Sequence, residues 1–221
     1  MEVTAAGILT TWSAGLSAGL AAVATRRIVR RGYVWLAVGT TTLFGLFAAV
    51  AGASWWAYGA CAVVAMAALL ADHTRSVVAL GGLGMIAFTI ASVEAGSPMT
   101  LAVTGAVALG AITTEMMLGH WYLVDPRMPR PVLRALALAG VAGIGVDMIF
   151  SAAAGAASWG DAQPVLGWGW LLLGTTSALL MVRVYSALGE RGYAGVMAAT
   201  GLSYLAVLTS TGAVVLGRLL V

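Results

Sequence analysis

The chain has 221 residues, of which 61% are hydrophobic and 9% are charged, and its mean hydropathy is +0.99. A typical soluble domain is about 45–50% apolar and about 25% charged, so this composition excludes a soluble globular fold. All eleven basic residues are arginines, and without lysine the chain cannot form a Schiff base with a cofactor such as retinal.

Apolar runs separated by charges and turn residues cover most of the chain. A helix needs about 20 apolar residues to cross a hydrocarbon core of about 30 Å. We predict eight such spans, at residues 5–25, 33–52, 54–71, 77–95, 99–122, 133–156, 165–185 and 193–216. The predicted fold is therefore an all-α integral membrane bundle that forms a single transmembrane domain over residues 1–221. Close packing between its helices would depend on glycine and alanine.

The arginines predict the orientation of the bundle. If the N-terminus lies outside, ten of the eleven arginines fall in or beside the inner loops, and only Arg218 lies near the outer side. This agrees with the positive-inside rule and places both termini outside. We predict a multi-pass protein of a cell membrane, such as a bacterial inner membrane or an archaeal plasma membrane, in contact with lipid.

Two acidic residues lie within predicted spans: Glu115 in span 5 and Asp147 in span 6. A carboxylate at membrane depth costs about 2.5–3.5 kcal/mol on insertion scales and is functional by default. Each acid lies on the same helix face as a row of small residues, so both should face other helices. They are predicted at different depths, as two steps of one proton or ion relay. The alternative is that each is a structural, hydrogen-bonded group.

Both histidines are predicted near the inner side, His73 after span 3 and His120 near the end of span 5. Two imidazoles from different helices could ligate a b-type haem. His120 with Trp121 and Tyr122 could instead line a quinone site, and simple interfacial hydrogen bonding explains the same residues.

The loop after span 5 carries three prolines and a cluster of arginines. Arg127, Arg130 and Arg134 could form a basic rim for an anionic lipid headgroup or a partner subunit. The same residues also fit an ordinary positive-inside loop.

Three function classes follow from these features. The first is a small transporter or channel-like protein with a proton or cation route past Glu115 and Asp147. The second is a membrane subunit of a redox complex that binds haem or quinone. The third is a non-catalytic assembly or scaffold subunit that docks other membrane subunits or further copies of itself. We find no nucleic-acid motif, no metal-site motif and no catalytic motif in the sequence, which argues against an enzyme.

Overall fold

The computed structural model describes residues 4–28, 31–126, 128–158 and 163–221. Within these ranges the protein is all-α, with a short 3-10 turn after the sixth helix. The eight α-helices are α1 (Ala5–Thr25), α2 (Arg31–Val50), α3 (Trp55–Leu69), α4 (Thr74–Glu94), α5 (Met99–Val124), α6 (Arg130–Ala153), α7 (Pro164–Ala187) and α8 (Tyr193–Leu219). They coincide with the eight predicted spans, and their ends differ from the prediction by at most three residues.

Seven of these described helices are long and apolar enough to cross a membrane. The exception is α3, whose 15 residues extend over only about 22 Å at a rise of about 1.5 Å per residue. The chain is therefore a multi-pass helical membrane protein. Its orientation, with both termini outside, stays a prediction.

Glycine and proline determine where two of the inter-helix turns begin. Gly52 has a φ of 95° between α2 and α3, a conformation that L side chains rarely adopt, and it allows the tight turn between these two helices. At the other turn, α5 ends two residues before Pro126, while Pro131 lies in the first turn of α6. The proline-rich segment is thus a loop between two helices, as predicted.

The chain forms two compact units, and the boundary between them lies within α5. We call residues 4–106 the N-terminal unit and residues 107–221 the C-terminal unit.

In the N-terminal unit, α1 packs against α2 and α4, and α3 also packs against α2 and α4, so the four helices form a ring. Glycines allow the close approach. A Cβ on Gly81 of α4 would lie 3.0 Å from the backbone oxygen of Ser17 in α1, and one on Gly84 would overlap Val64 of α3. The GGLG stretch of α4 is therefore a helix-packing site.

In the C-terminal unit, too, helices that follow one another in the chain pack side by side: α6 packs against α7, and α7 packs against α8. Glycines of α6 meet α5 at very close range. A Cβ on Gly143 would lie 2.9 Å from the Cα of Ala108, and one on Gly140 would lie 2.9 Å from the side chain of Ile112. The predicted stripe of small residues on α6 does face a neighbouring helix.

Candidate functional site

Glu115 is completely buried, with an exposed fraction of 0%, and it lies on the face of α5 that meets α8. Its Oε2 atom accepts a hydrogen bond from the hydroxyl of Ser203 in α8. Its Oε1 atom has no hydrogen-bond partner among the described residues. The prediction that Glu115 faces another helix is confirmed.

Glycine brings α5 and α8 together beside this carboxyl group. A Cβ on Gly119, one turn after Glu115, would lie 2.8 Å from Oγ1 of Thr200 and 3.8 Å from Oε1 of Glu115. The hydroxyl of Thr200 donates to the backbone oxygen of Val196, at 2.9 Å. The hydroxyl of Thr200 beside this contact is therefore already engaged with its own helix.

Ser203 has two acceptors within reach but only one hydroxyl proton. Its Oγ lies 2.9 Å from the backbone oxygen of Ala199 and also contacts Oε2 of Glu115. A hydroxyl group donates once and accepts through its lone pairs. The Ser203 hydroxyl can therefore donate to Oε2 of Glu115 or to the backbone oxygen of Ala199, or share its proton between them.

Asp147 lies on α6 and is also buried, but its charge is paired with an arginine. The guanidinium of Arg218 in α8 donates from Nη2 to Oδ1 of Asp147 at 2.6 Å and from Nη1 to Oδ2 at 3.3 Å. Nη1 also donates to the hydroxyl of Ser151 at 2.8 Å. The exposed fractions are 1% for Asp147 and 6% for Arg218. Such a two-pronged pair neutralises both charges within the helix bundle.

Sequence reasoning missed Arg218 as the partner of Asp147, because it assigned this arginine to the outer end of α8. Two signals in the sequence point to the pair. Asp147 is predicted in the outer half of the membrane and Arg218 near the outer end of its span, and Arg218 comes after a stripe of small residues with helical spacing. That stripe is buried and consists of Ser203, Ala206, Ser210, Ala213 and Gly217. Gly217 permits the approach, since its Cβ would lie 3.0 Å from Nε1 of Trp170.

The two acids do not form a pair with each other. The contact of Gly143 with Ala108 aligns α6 with α5. Glu115 lies seven residues beyond Ala108 and Asp147 lies four residues beyond Gly143, in opposite directions. At about 1.5 Å per residue, the acids are separated by about 16 Å along the helix axes. The segment between them holds the close contacts of Gly140 and Gly143 with α5.

The two histidines are both exposed and belong to different units: His73 precedes α4, and His120 lies on α5. Nδ1 of His120 lies 3.4 Å from the hydroxyl of Tyr204 in α8. Within the described ranges, no group of three or more His, Cys, Asp or Glu side chains could hold a metal ion. Haem ligation by His73 and His120 stays a prediction.

The residues of the predicted basic rim have separate roles. Arg130 donates to the backbone oxygens of Glu190 and Gly192 at 2.6 Å each and to the hydroxyl of Tyr122 at 3.3 Å. It thereby ties the loop between α7 and α8 to the start of α6. The guanidinium of Arg134 lies 4.2 Å from the ring centre of Tyr185.

Two other residues singled out near the end of α5 complete this description. Trp121 is half-buried. Arg127 lies outside the described residues.

Comparisons with protein-family models, curated proteins and solved structures find no match for this chain. The buried carboxyl group of Glu115 and the ion pair of Asp147 with Arg218 are thus the features from which function can be inferred. At the level of class, the chain is a multi-pass membrane protein made of helices.

Proposed function

We propose that the protein is a small proton or cation transporter, and that Glu115 in the C-terminal unit is its exchange site. The observation that carries the proposal is the complete burial of this carboxyl group with one oxygen unpaired. An ionisable residue inside a membrane helix is by default a candidate for a proton or ion route.

The hydroxyl of Ser203 supports the assignment of a proton as the exchanged species. When Glu115 holds a proton, it donates to Ser203, which in turn donates to Ala199. When the proton leaves, Ser203 can rotate its hydroxyl and donate to the carboxylate instead. Ser203 therefore offers a suitable hydrogen bond in each state.

Asp147 has a different role in this proposal. Its carboxylate is held by Arg218, so an ion or proton that reaches Asp147 must compete with the guanidinium group. Exchange of Arg218 for an incoming cation would couple occupancy of this site to a shift of α8 relative to α6. Asp147 and Arg218 thus act as a cation-sensitive contact on the route.

The packing between the two acids favours a transporter over an open channel. Gly143 lies against the backbone of α5 at a distance that leaves no space for water between these two residues. A route past both acids therefore requires the helices to move apart during each cycle. Alternating exposure of Glu115 to the two sides would meet that requirement.

The experiment is proton flux into proteoliposomes that contain purified protein and a pH-sensitive dye, driven by an imposed pH gradient with a potassium ionophore present. We expect Glu115→Gln to reduce flux to the rate of protein-free liposomes. The glutamine amide can still donate to Ser203, so the helix packing should survive.

The matched control is Glu94→Gln, the same chemical change at an exposed residue near the end of α4. It should leave flux unchanged. Wild-type flux in correctly folded Glu115→Gln protein would overturn the proposal. Loss of flux in Glu94→Gln would show that the effect does not depend on the buried site.

A further inference from the structure

A cavity of about 500 Å³ lies between the start of α6 and the end of α7 with the loop that follows it, entirely within the C-terminal unit. Three arginines line it: Arg130, Arg134 and Arg191. Glu190 is the acidic residue among its lining residues. The excess of positive charge makes the cavity suited to an anion.

Arg130 and Arg134 differ in the contacts that their guanidinium groups already make. Arg130 uses its guanidinium to hold the α7–α8 loop, so it contributes shape and charge. Arg134 is held in place by stacking on Tyr185, and its buried Nε atom has no hydrogen-bond partner among the described residues. The stacking therefore fixes the direction of the Arg134 guanidinium at the wall of the cavity, where it contributes a positive charge.

The first turn of α6 adds to the attraction for an anion. Arg130 is the first residue of this 24-residue helix, and its N-cap, Pro129, provides no side-chain hydrogen bond to the helix. The start of a helix carries a partial positive charge and unpaired backbone N–H groups. This charge acts in the same direction as the three arginines.

The apolar part of the lining identifies the kind of anion. Leu138 lines the cavity and is 51% exposed on α6, on a surface that a membrane helix presents to lipid. A small soluble phosphate would leave this apolar wall unused, whereas an acyl chain would cover it.

We propose that the cavity binds the phosphate headgroup of an anionic phospholipid, with Arg134 and Arg191 at the phosphate and an acyl chain along Leu138. Arginine suits this role because its planar guanidinium pairs with two phosphate oxygens at once. The bound lipid would hold the start of α6 against the α7–α8 loop.

Binding is measured by native mass spectrometry and thermal shift of the purified full chain. The probes are phosphatidylglycerol and phosphatidylcholine with identical acyl chains. We expect the wild type to retain phosphatidylglycerol in preference to phosphatidylcholine. Each of Arg134→Gln and Arg191→Gln should lower phosphatidylglycerol affinity about fivefold, the effect of one basic residue near an anionic lipid. Arg75→Gln, which removes an exposed arginine of α4, should change nothing.

Glu190→Gln gives a result that misfolding cannot imitate, because removal of the acid should raise phosphatidylglycerol affinity about fivefold. An unchanged affinity in Glu190→Gln together with unchanged Arg134→Gln would overturn the proposal. Equal losses in Arg75→Gln and Arg134→Gln would also overturn it, since they would indicate general charge attraction. In a further experiment, soluble glycerol phosphate is added to the protein with bound lipid. Displacement of the lipid by this headgroup analogue at equal concentration would show that the acyl chain plays no part, which would likewise refute a lipid site.

Discussion

The N-terminal and C-terminal units both connect consecutive helices side by side, but they join their first and fourth helices with different chemistry. In the N-terminal unit, Thr11 of α1 and Ser92 of α4 form a hydroxyl pair at 2.7 Å. In the C-terminal unit, the corresponding contact between α5 and α8 is made by Glu115 and Ser203. Neutral hydroxyl groups satisfy each other without ionisation, whereas a carboxyl group can gain or lose a proton. Of these two inter-helix contacts, only the one in the C-terminal unit contains an ionisable group, and this is why the proposed exchange site lies there.

The largest expected effect comes from breaking the ion pair in the C-terminal unit. Arg218→Gln leaves Asp147 buried without its cation and should destabilise the protein by about 3–5 kcal/mol. The double variant Arg218→Gln with Asp147→Asn should recover most of this loss, because no uncompensated charge remains. Thermal unfolding in detergent measures both. Equal stability of the single variant and the wild type would contradict the pair.

Steric crowding at α6 should produce the next largest effect. Gly143→Ala places a methyl group against the backbone of Ala108 and should cost about 1–3 kcal/mol. Gly145→Ala is its control on the same helix, since a Cβ there meets nothing within 4 Å. The two variants differ only in what the added methyl group contacts. Similar melting temperatures for the two would show that α5 and α6 are farther apart than described.

The hydroxyl pair of the N-terminal unit should matter less. Thr11→Val keeps the shape of the side chain but removes its hydrogen bond to Ser92, and hydrogen bonds between membrane helices average about 0.6 kcal/mol. We also expect proton flux in liposomes to remain at the wild-type rate. A loss of flux in folded Thr11→Val protein would place exchange chemistry in both units and remove the distinction between them.

The smallest effect is expected at the exposed ion pair of Arg31 with Asp72, whose charged atoms lie 3.6 Å apart. Surface pairs of this kind contribute about 0–1 kcal/mol, and less at high salt. Arg31→Gln should therefore leave the melting temperature nearly unchanged. A loss comparable to that of Arg218→Gln would show that burial does not explain the difference between the two pairs.

The positions of the helices could be predicted from the sequence better than the contacts of the buried charged residues. Helix number and positions were predictable because the thickness of a bilayer restricts apolar runs to about 20 residues. The inward direction of Glu115 and Asp147 was predictable from the spacing of small residues. The partner of Asp147 was not identified, because an arginine near the end of a span normally extends to the membrane surface. The hydrogen bonds of Arg218 to Asp147 and Ser151 show that it turns inward instead.

The stacking of Arg134 on Tyr185 shows a second limit of sequence reasoning. The two residues lie on different helices, α6 and α7, and their contact depends on how these helices pack against each other. The spacing of residue types along the sequence does not indicate such a contact. The sequence could indicate a basic loop, but not a cavity lined by an arginine that a tyrosine holds in place.

The short helix α3 has a consequence for the lipid around the N-terminal unit. Its length of about 22 Å is less than the hydrocarbon thickness of about 30 Å, which creates hydrophobic mismatch. Trp55 at its start and Leu69 at its end are both exposed. A bilayer can match a hydrophobic segment this short by becoming locally thinner. The bilayer beside α3 should be locally thin, and the protein should be more stable in membranes of shorter-chain lipids than in thicker ones.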